Sequence, residues 1–278
     1  MTDQPIQRPP FESTALTEAF AGQPDLRVEL HAVAPSTNAL AGERARAGAA
    51  EGLLVVADHQ AAGRGRLDRT WETPPGAAVT FSLLLHPTVP ASAWPWIPLL
   101  VGHNVAKALT SLGSRAQVKW PNDVLLTDDS GTARKVAGIL VERVETPTGP
   151  AVVVGVGINV STTADELPVD TATSIALAAG PDADPVDRTT VLLAVVTTVR
   201  EAFDVWQAGG PEAAQRLRAS YLARCATVDV DVRVHLPGGG TLVGRAVDVD
   251  PEGRLVVETA DGVERVGAGD VIHVRATA

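Results

Sequence analysis

The sequence predicts an α+β protein: a mixed or antiparallel sheet with flanking helices, followed by a small C-terminal β-barrel. Three observations point there. Up to about residue 225, short β-branched runs alternate with stretches whose apolar residues recur at helical spacing. Two long strand-like runs, KVAGILVERVE and AVVVGVGINV, are separated only by a Pro147/Gly149 turn. From about residue 226 the pattern changes to strict alternation, broken by GGG, PEG and DG turns.

The elements follow in chain order. Residues 1–25 are polar and Pro-containing, which reads as a tail or a short N-terminal helix. LRVEL and LLVVAD (53–58) read as strands, with a helix over 35–50 between them. Ser36 or Thr37 is expected to cap that helix, because a hydroxyl can accept an orphan N–H of the first turn. AAVTFSLLL (77–85) is a strand, and residues 97–112 form a helix that stops before Gly113. VKW and VLL are short strands around a Pro121-Asn122-Asp123 turn, and the two long strands come next. Helices are expected over about 187–207 and 211–224, then the β module. A chain of 278 residues has room for about two domains of roughly 100–200 residues. The predicted division is a tail at 1–25, a main domain at 26–225 and the β module at 226–278.

Composition excludes several functional classes. With 45% hydrophobic and 20% charged residues the chain is neither disordered nor fibrous. Its 23 basic and 33 acidic residues give a net charge of −10, which argues against a general binder of nucleic acid or membrane surface. No apolar run reaches the ~18 residues of a membrane span. The N-terminus lacks a basic-then-apolar signal pattern, so a cytoplasmic location is expected. One cysteine, Cys225, excludes an intramolecular disulfide and a multi-cysteine zinc site. The six histidines are scattered without metal-ligand spacing.

The rare residues are more informative. Of the 23 basic residues only Lys107, Lys119 and Lys135 are lysine, and the asparagines are Asn38, Asn104, Asn122 and Asn159. In so Arg-rich a sequence, a retained lysine or asparagine marks a position that Arg or Asp could not fill. The segment HQAAGRGRLDRTW (59–71) crowds Arg64, Arg66 and Arg69 around two glycines. Such a cluster repels itself without an anion, and guanidinium groups bind phosphate or carboxylate in a bidentate manner. The segment is expected to be mobile until an anion arrives. VKWPNDVLL places Lys119 on an apolar strand, where a buried lysine needs an anionic partner. In RKVAGILVE, Lys135 opens a strand, and Gly138 leaves room for something to pack against it. VGVGIN alone is a weak signal, since glycines in a strand are more often bulges or packing contacts.

Taken together and in this order, STN at 36–38, QAAGRGR at 60–66, KWPND at 119–123, KVAGILVE at 135–142 and VGVGIN at 154–159 resemble the biotin protein ligase family. The resemblance runs over about residues 30–275. It implies a class II synthetase-like catalytic domain with an SH3-like C-terminal barrel. It also implies an enzyme that joins biotin to ATP as biotinyl-5′-adenylate, with Mg²⁺, and passes biotin to a lysine of a biotin carboxyl carrier domain of an acyl-CoA carboxylase. The partners implied include neither DNA nor membrane, and the chain is expected to be a monomer or weak homodimer.

Carried over position by position, Ser36, Thr37, Asn38, Gln60, Arg64, Gly65, Arg66 and Lys135 resemble the biotin-binding set. Arg66, Arg69, Trp71, Lys119, Asn122, Gly138 and Asn159 resemble the nucleotide-binding set. Lys135, Arg66, Lys119 and Asp123 resemble the catalytic set, with Asp123 placed to accept or orient the proton of the incoming amine. No metal ligand is assigned. The sequence departs from the family pattern at Leu67-Asp68, where the loop is often more basic or carries a further glycine. The short stretch before the first strand leaves no room for the winged-helix repressor domain of bifunctional members. Lipoate ligases and octanoyltransferases share the catalytic fold; GRGR, KWPND and the β module favour biotin. A regulator or nucleotide-binding module without catalysis is disfavoured by the missing DNA-binding domain and the charge.

Overall fold

A computed structural model of the chain describes residues 8–67 and 69–274. The elements are, in order, α1 (Ser13–Ala19), β1 (Arg27–Ala34), α2 (Thr37–Arg46), β2 (Leu53–Gln60), β3 (Ala78–Leu85), α3 (Trp96–Ser111), β4 (Ala116–Lys119), β5 (Asp123–Thr127), β6 (Ala133–Thr146) and β7 (Gly149–Asn159). They continue with α4 (Ile175–Ala179), α5 (Arg188–Ala208), α6 (Gly210–Leu222), β8 (Val230–His235), β9 (Thr241–Val249), β10 (Leu255–Thr259), β11 (Gly262–Val266) and β12 (Asp270–His273). The first seven strands form one sheet in the order β1-β2-β3-β7-β6-β5-β4, and the last five form another in the order β11-β10-β9-β8-β12. In the first sheet β1 and β2 run parallel, joined through α2, while β2–β3, β3–β7, β6–β7 and β4–β5 are antiparallel. The α+β class with its mixed sheet and C-terminal β module is therefore present.

By its internal contacts the chain divides into two compact units. One comprises Met1–His86 with Asp128–Leu193, the other Pro87–Thr127 with Ala194–Ala278. In the first unit, α2 lies on one face of the sheet. Ala41 and Ala45 on the helix are buried against Leu53, Val55, Leu84, Val153, Val144 and Ala151. Small residues on the helix let its axis approach the sheet closely. Where the register places these strands side by side, the same face continues beyond the start of α2 with Ser82, Gly155 and Leu140, then Thr80, Gly157 and Gly138. The face thus changes from aliphatic to small and polar where the helix begins.

A buried arginine ties the margin of this unit. Arg188, the first residue of α5, donates to Asp58 Oδ1 at 2.7 Å, to the Pro9 carbonyl at 2.6 Å and to the Ala78 carbonyl at 3.2 Å. Its guanidinium also lies 4.1 Å from the centroid of the Phe11 ring. The segment before α1 is thereby held to β2 and β3. The expected helix within residues 1–25 is α1; residues 1–7 lie outside those described.

Several boundaries differ from the sequence reading. The helix expected over 35–50 is shorter at both ends, because Ser36 is extended chain and Gly48 adopts a φ of +92°. Ser36 occupies the N-cap position, yet its side chain makes no cap hydrogen bond. The Thr37 N–H goes to Gln60 Oε1 at 2.8 Å instead, so the expected hydroxyl cap is replaced by a side chain from β2. Helix α4 and strand β12 went unrecognised, since both are too short for their pattern to repeat clearly. The first is five residues long and ends at Gly180; the second is four.

In the second unit, burial lowers the His103 side chain to about 4, with the positive charges of Arg224 and Lys107 acting in the same direction. Burial likewise lowers His273 to about 4, assisted by Lys119. Both rings are therefore neutral in the fold at pH 7. The unfolded chain binds these protons near 6.5 and the folded chain only near 4, so stability falls as pH drops through that window. Replacing His103 by Gln should make that fall shallower. Urea midpoints at pH 7, 5.5 and 4.5 would measure it, and an equally steep fall in the variant would contradict the assignment.

Candidate ligand-binding site

The start of α2 and the face beneath it form a chain of hydrogen bonds. Gln60 Oε1 accepts from the Thr37 N–H at 2.8 Å and the Thr37 hydroxyl at 3.1 Å. Ser82, fully buried on β3, lies 2.8 Å from Thr37 Oγ1 and donates to Asn38 Oδ1. Asn38 Nδ2 donates to the Leu140 carbonyl at 3.2 Å and to Glu142 Oε2 at 2.7 Å. Arg64 donates to that same Oε2 at 2.8 Å. A neutral amide has two N–H donors, and both of Asn38's are used within the protein.

The glycine of β7 nearest this amide is structural in a strict sense. A Cβ placed on Gly155 would overlap Asn38 Oδ1, so only a residue without a side chain admits the amide at this height. Asn38 is therefore a brace, buried, with its oxygen and both N–H groups bonded within the protein. Gln60 is arranged oppositely. Its oxygen is occupied by Thr37, which turns the Nε2 donors away from the helix start.

The arginine segment is a small hairpin. Arg64 and Thr70 are bridged as antiparallel partners. Gly65 N donates to Arg69 O at 2.7 Å, and Trp71 N to Gly63 O at 2.9 Å. The described residues of the segment are tied to one another by these backbone bonds. Gly63 is required by the hairpin itself, because a Cβ there would overlap the Trp71 carbonyl. Leu67, at the tip, has a φ of +55°; Asp68 lies outside the described residues.

Trp71 leaves the hairpin and lays its indole over the second glycine step of the face. Cβ atoms placed on Gly157 or Gly138 would meet its ring. The room left by Gly138 is thus filled by Trp71, and Lys135 Nζ stands 5.8 Å from the indole centroid, within cation–π range. The indole nitrogen is buried without a hydrogen-bond partner. The backbone of Lys135 is clamped by the segment after β7: its N–H donates to Thr171 O at 2.8 Å and its carbonyl accepts from Thr173 N at 2.7 Å. Asn159 donates to the Thr173 carbonyl at 3.0 Å, which places it behind Lys135 as a support. One unit thus brings together Ser36, Thr37, Asn38, Gln60, the 63–71 hairpin, Lys135, Gly138 and Asn159.

Lys119, Asn122 and Asp123 belong to the second unit, at the corner between β4 and β5, where Lys119 and Asp123 are cross-strand partners. All three are half-buried, so Lys119 is less enclosed than its apolar strand implied. The corner is anchored by Trp120, which is 1% exposed. Its indole N–H donates to the Gly253 carbonyl at 3.0 Å, and its backbone N–H to Thr227 Oγ1 at 3.0 Å. The neighbouring indole of Trp96 donates to the Pro251 carbonyl at 2.7 Å. One turn between β9 and β10 therefore receives two indoles. That turn is braced by Asp250, which accepts from Glu252 N, Arg254 N and the Arg254 guanidinium.

Ser82 and Glu142 were not among the residues singled out from sequence. Ser82 sits in an apolar strand as an unremarkable hydroxyl, and only the register reveals it beneath Asn38. Glu142 ends the quoted KVAGILVE motif, so a signal existed. Its role depends on two partners 78 and 104 residues away.

The model of the biotin/lipoate A/B protein ligase family matches residues 30–159, and that of the biotin protein ligase C terminal domain matches residues 230–274. Over 99% of its length the chain is 35% identical to the biotin–[acetyl-CoA-carboxylase] ligase of Mycobacterium tuberculosis, 100% of which is covered. Over 87% of its length it is 33% identical to the bifunctional ligase/repressor BirA of Bacillus subtilis, of which 72% is covered. Among solved structures, biotin protein ligase from Aquifex aeolicus in complex with biotin and ATP matches with a TM-score of 0.73 and 25% identity, covering 90% of this chain and 99% of that one. The fold and the larger of the matched regions define a protein of the biotin/lipoate ligase class. With the C-terminal domain and the full-length likeness added, the chain belongs to the biotin protein ligase family.

The anchoring of the β4–β5 corner makes a direct prediction. Trp120→Phe removes one N–H and leaves a buried carbonyl unpaired, at a cost on the order of 1–3 kcal/mol. Urea denaturation should show the loss, and an unchanged midpoint would mean the indole bond carries nothing.

Proposed function

We propose that this chain activates biotin with ATP to biotinyl-5′-adenylate and passes the biotinyl group to a lysine of a biotin carboxyl carrier domain of an acyl-CoA carboxylase. The observation that carries this reading is the full-length likeness to a biotin–[acetyl-CoA-carboxylase] ligase. The same unit holds Gln60, whose oxygen is taken by Thr37, and Lys135 beside the Trp71 indole, which adds chemical support. A carboxylate oxygen of biotin attacks the α-phosphorus of ATP, and pyrophosphate leaves. The amine of the carrier lysine then attacks the biotinyl carbonyl carbon, AMP leaves, and the ammonium proton of the new amide is given up.

The first step forces a carboxylate against a triphosphate, so fixed cations must offset their repulsion. In this reading Lys135 meets the biotin carboxylate and the adenylate bridge, with Arg66, Arg69 and Lys119 on the phosphates. Ser36, Thr37 and Gln60 surround the polar ring of biotin, with Gln60 Nε2 as a donor. The Gly65 backbone closes over it, and Asn38 and Arg64 contribute by placement. Trp71 and Gly138 supply an apolar wall, while Asn122 and Asn159 support the nucleotide side. Asp123 accepts the amine proton. Among the described residues no group of three or more His, Cys, Asp or Glu is arranged for a metal ion. In this reading Mg²⁺ enters with the triphosphate, which supplies most of its oxygen ligands.

Residues 226–278 act with the catalytic region 26–225 as one enzyme, working as a monomer or weak homodimer in the cytoplasm without DNA. Among the described residues no helix is long and apolar enough to cross a membrane.

The reading is tested by incubating the protein with a carrier domain, ATP, Mg²⁺ and labelled biotin or labelled lipoate. Biotin should be incorporated and lipoate should not; the reverse would overturn the assignment. Lys135→Ala should remain folded and release pyrophosphate about 10²–10³-fold more slowly, the usual effect of losing one preorganised cation. Near-normal release would remove Lys135 from its role.

A further inference from the structure

Glu142 is an unexpected residue at a site that takes two anions. A carboxylate there repels both biotin and the triphosphate unless a cation beside it cancels its charge. The cation is Arg64, and the pair leaves the site no extra positive charge. One oxygen, Oε2, takes both Arg64 at 2.8 Å and Asn38 Nδ2 at 2.7 Å. Three separate segments meet at that atom: the hairpin through Arg64, the start of α2 through Asn38, and β6 through Glu142 itself.

We propose that Glu142 is a positioning residue for the biotin site, tethering the 63–71 hairpin through Arg64 and fixing Asn38 at the start of α2. This rests on the biotin reading above and divides the arginines of the hairpin. Arg64 acts through where it holds the backbone at Gly63–Gly65, because its charge is already answered by a protein carboxylate. Counter-charge to the phosphates falls to the other cations. Asn38 has no spare N–H, so Glu142 secures the amide whose oxygen holds Ser82 against Thr37. Losing the carboxylate would loosen the hairpin's near end and the Thr37 corner together.

The Arg64 and Glu142 side chains are 48% and 35% exposed, and ion pairs so placed add little to global stability. Losing the ion pair itself should therefore leave the fold intact, and the melting temperature reports separately what Glu142→Ala costs through the Asn38 N–H it leaves unpaired. The experiment compares wild type, Glu142→Gln, Glu142→Ala, Arg64→Ala and the Arg64→Ala/Glu142→Ala double variant by pyrophosphate release, with melting temperature measured for each. Glu142→Ala should raise KM for biotin about tenfold or more while KM for ATP stays within about twofold. Glu142→Gln keeps an acceptor oxygen at the same reach and should recover most of the loss. Arg64→Ala should act on biotin rather than ATP, and the double variant should be less impaired than the product of the two single effects.

An unchanged biotin KM in Glu142→Ala would overturn the proposal. So would a rise confined to ATP, a fully multiplicative double variant, or a loss in proportion to a fall in melting temperature. If wild type itself fails to use biotin, the functional reading fails first. Wild-type turnover with an indifferent Glu142→Ala variant defeats the positioning role alone.

Discussion

The candidate site depends on one buried amide. Asn38 sits at the start of α2 in a notch that only Gly155 can leave open, and each of its N–H groups is spent inside the protein. From it the hydrogen bonds run one way through Ser82 and Thr37 to Gln60, and the other way through Glu142 to Arg64. Helix α2, strands β2, β3 and β6, and the arginine hairpin are thus held in register by side chains that are neutral or charge-compensated. An unpaired polar group at that depth is costly, so the network specifies one arrangement rather than merely strengthening it.

The second constraint is electrostatic. The chain carries a net charge of −10 and is proposed to act on two anions, so its cations must be placed rather than abundant. Several arginines are committed within the protein: Arg188 to Asp58, Arg218 to Asp248, Arg44 to Glu29 and Arg64 to Glu142. Lysine is rare throughout, and Lys119 and Lys135 are two of only three in the chain. Lys135 combines a backbone clamped by Thr171 and Thr173 with an ammonium 5.8 Å from the Trp71 indole centroid.

Much of the fold was legible because its patterns are long. The β6–β7 hairpin declared itself through two uninterrupted apolar runs, and the C-terminal module through strict alternation. The losses came where an element is too short for its pattern to repeat clearly, as in α4 and β12, or where a distant side chain replaces a local one, as when Gln60 displaces the hydroxyl cap. The motifs named segments that the structure brings together in the first unit, but not the contacts that distinguish the residues within them. Glycines 155 and 157 carried a weak signal alone, since the sequence does not say that Asn38 and Trp71 fill the space above them. Arg64 looked equivalent to Arg66 and Arg69 until Glu142, 78 residues away, set it apart.

The claim that the Asn38 notch organises the site is tested most directly by biotin binding to Gly155→Ala, measured by titration calorimetry. Gly22→Ala serves as the control, because a Cβ there meets nothing within 4 Å. The added methyl must displace the Asn38 amide and break its bonds to Ser82 and Glu142. The account predicts biotin affinity reduced by about tenfold or more, as befits the loss of buried, charge-assisted hydrogen bonds, in a variant whose circular dichroism matches wild type, and an unaffected control. Wild-type affinity in Gly155→Ala would show that the amide is not what holds the site together.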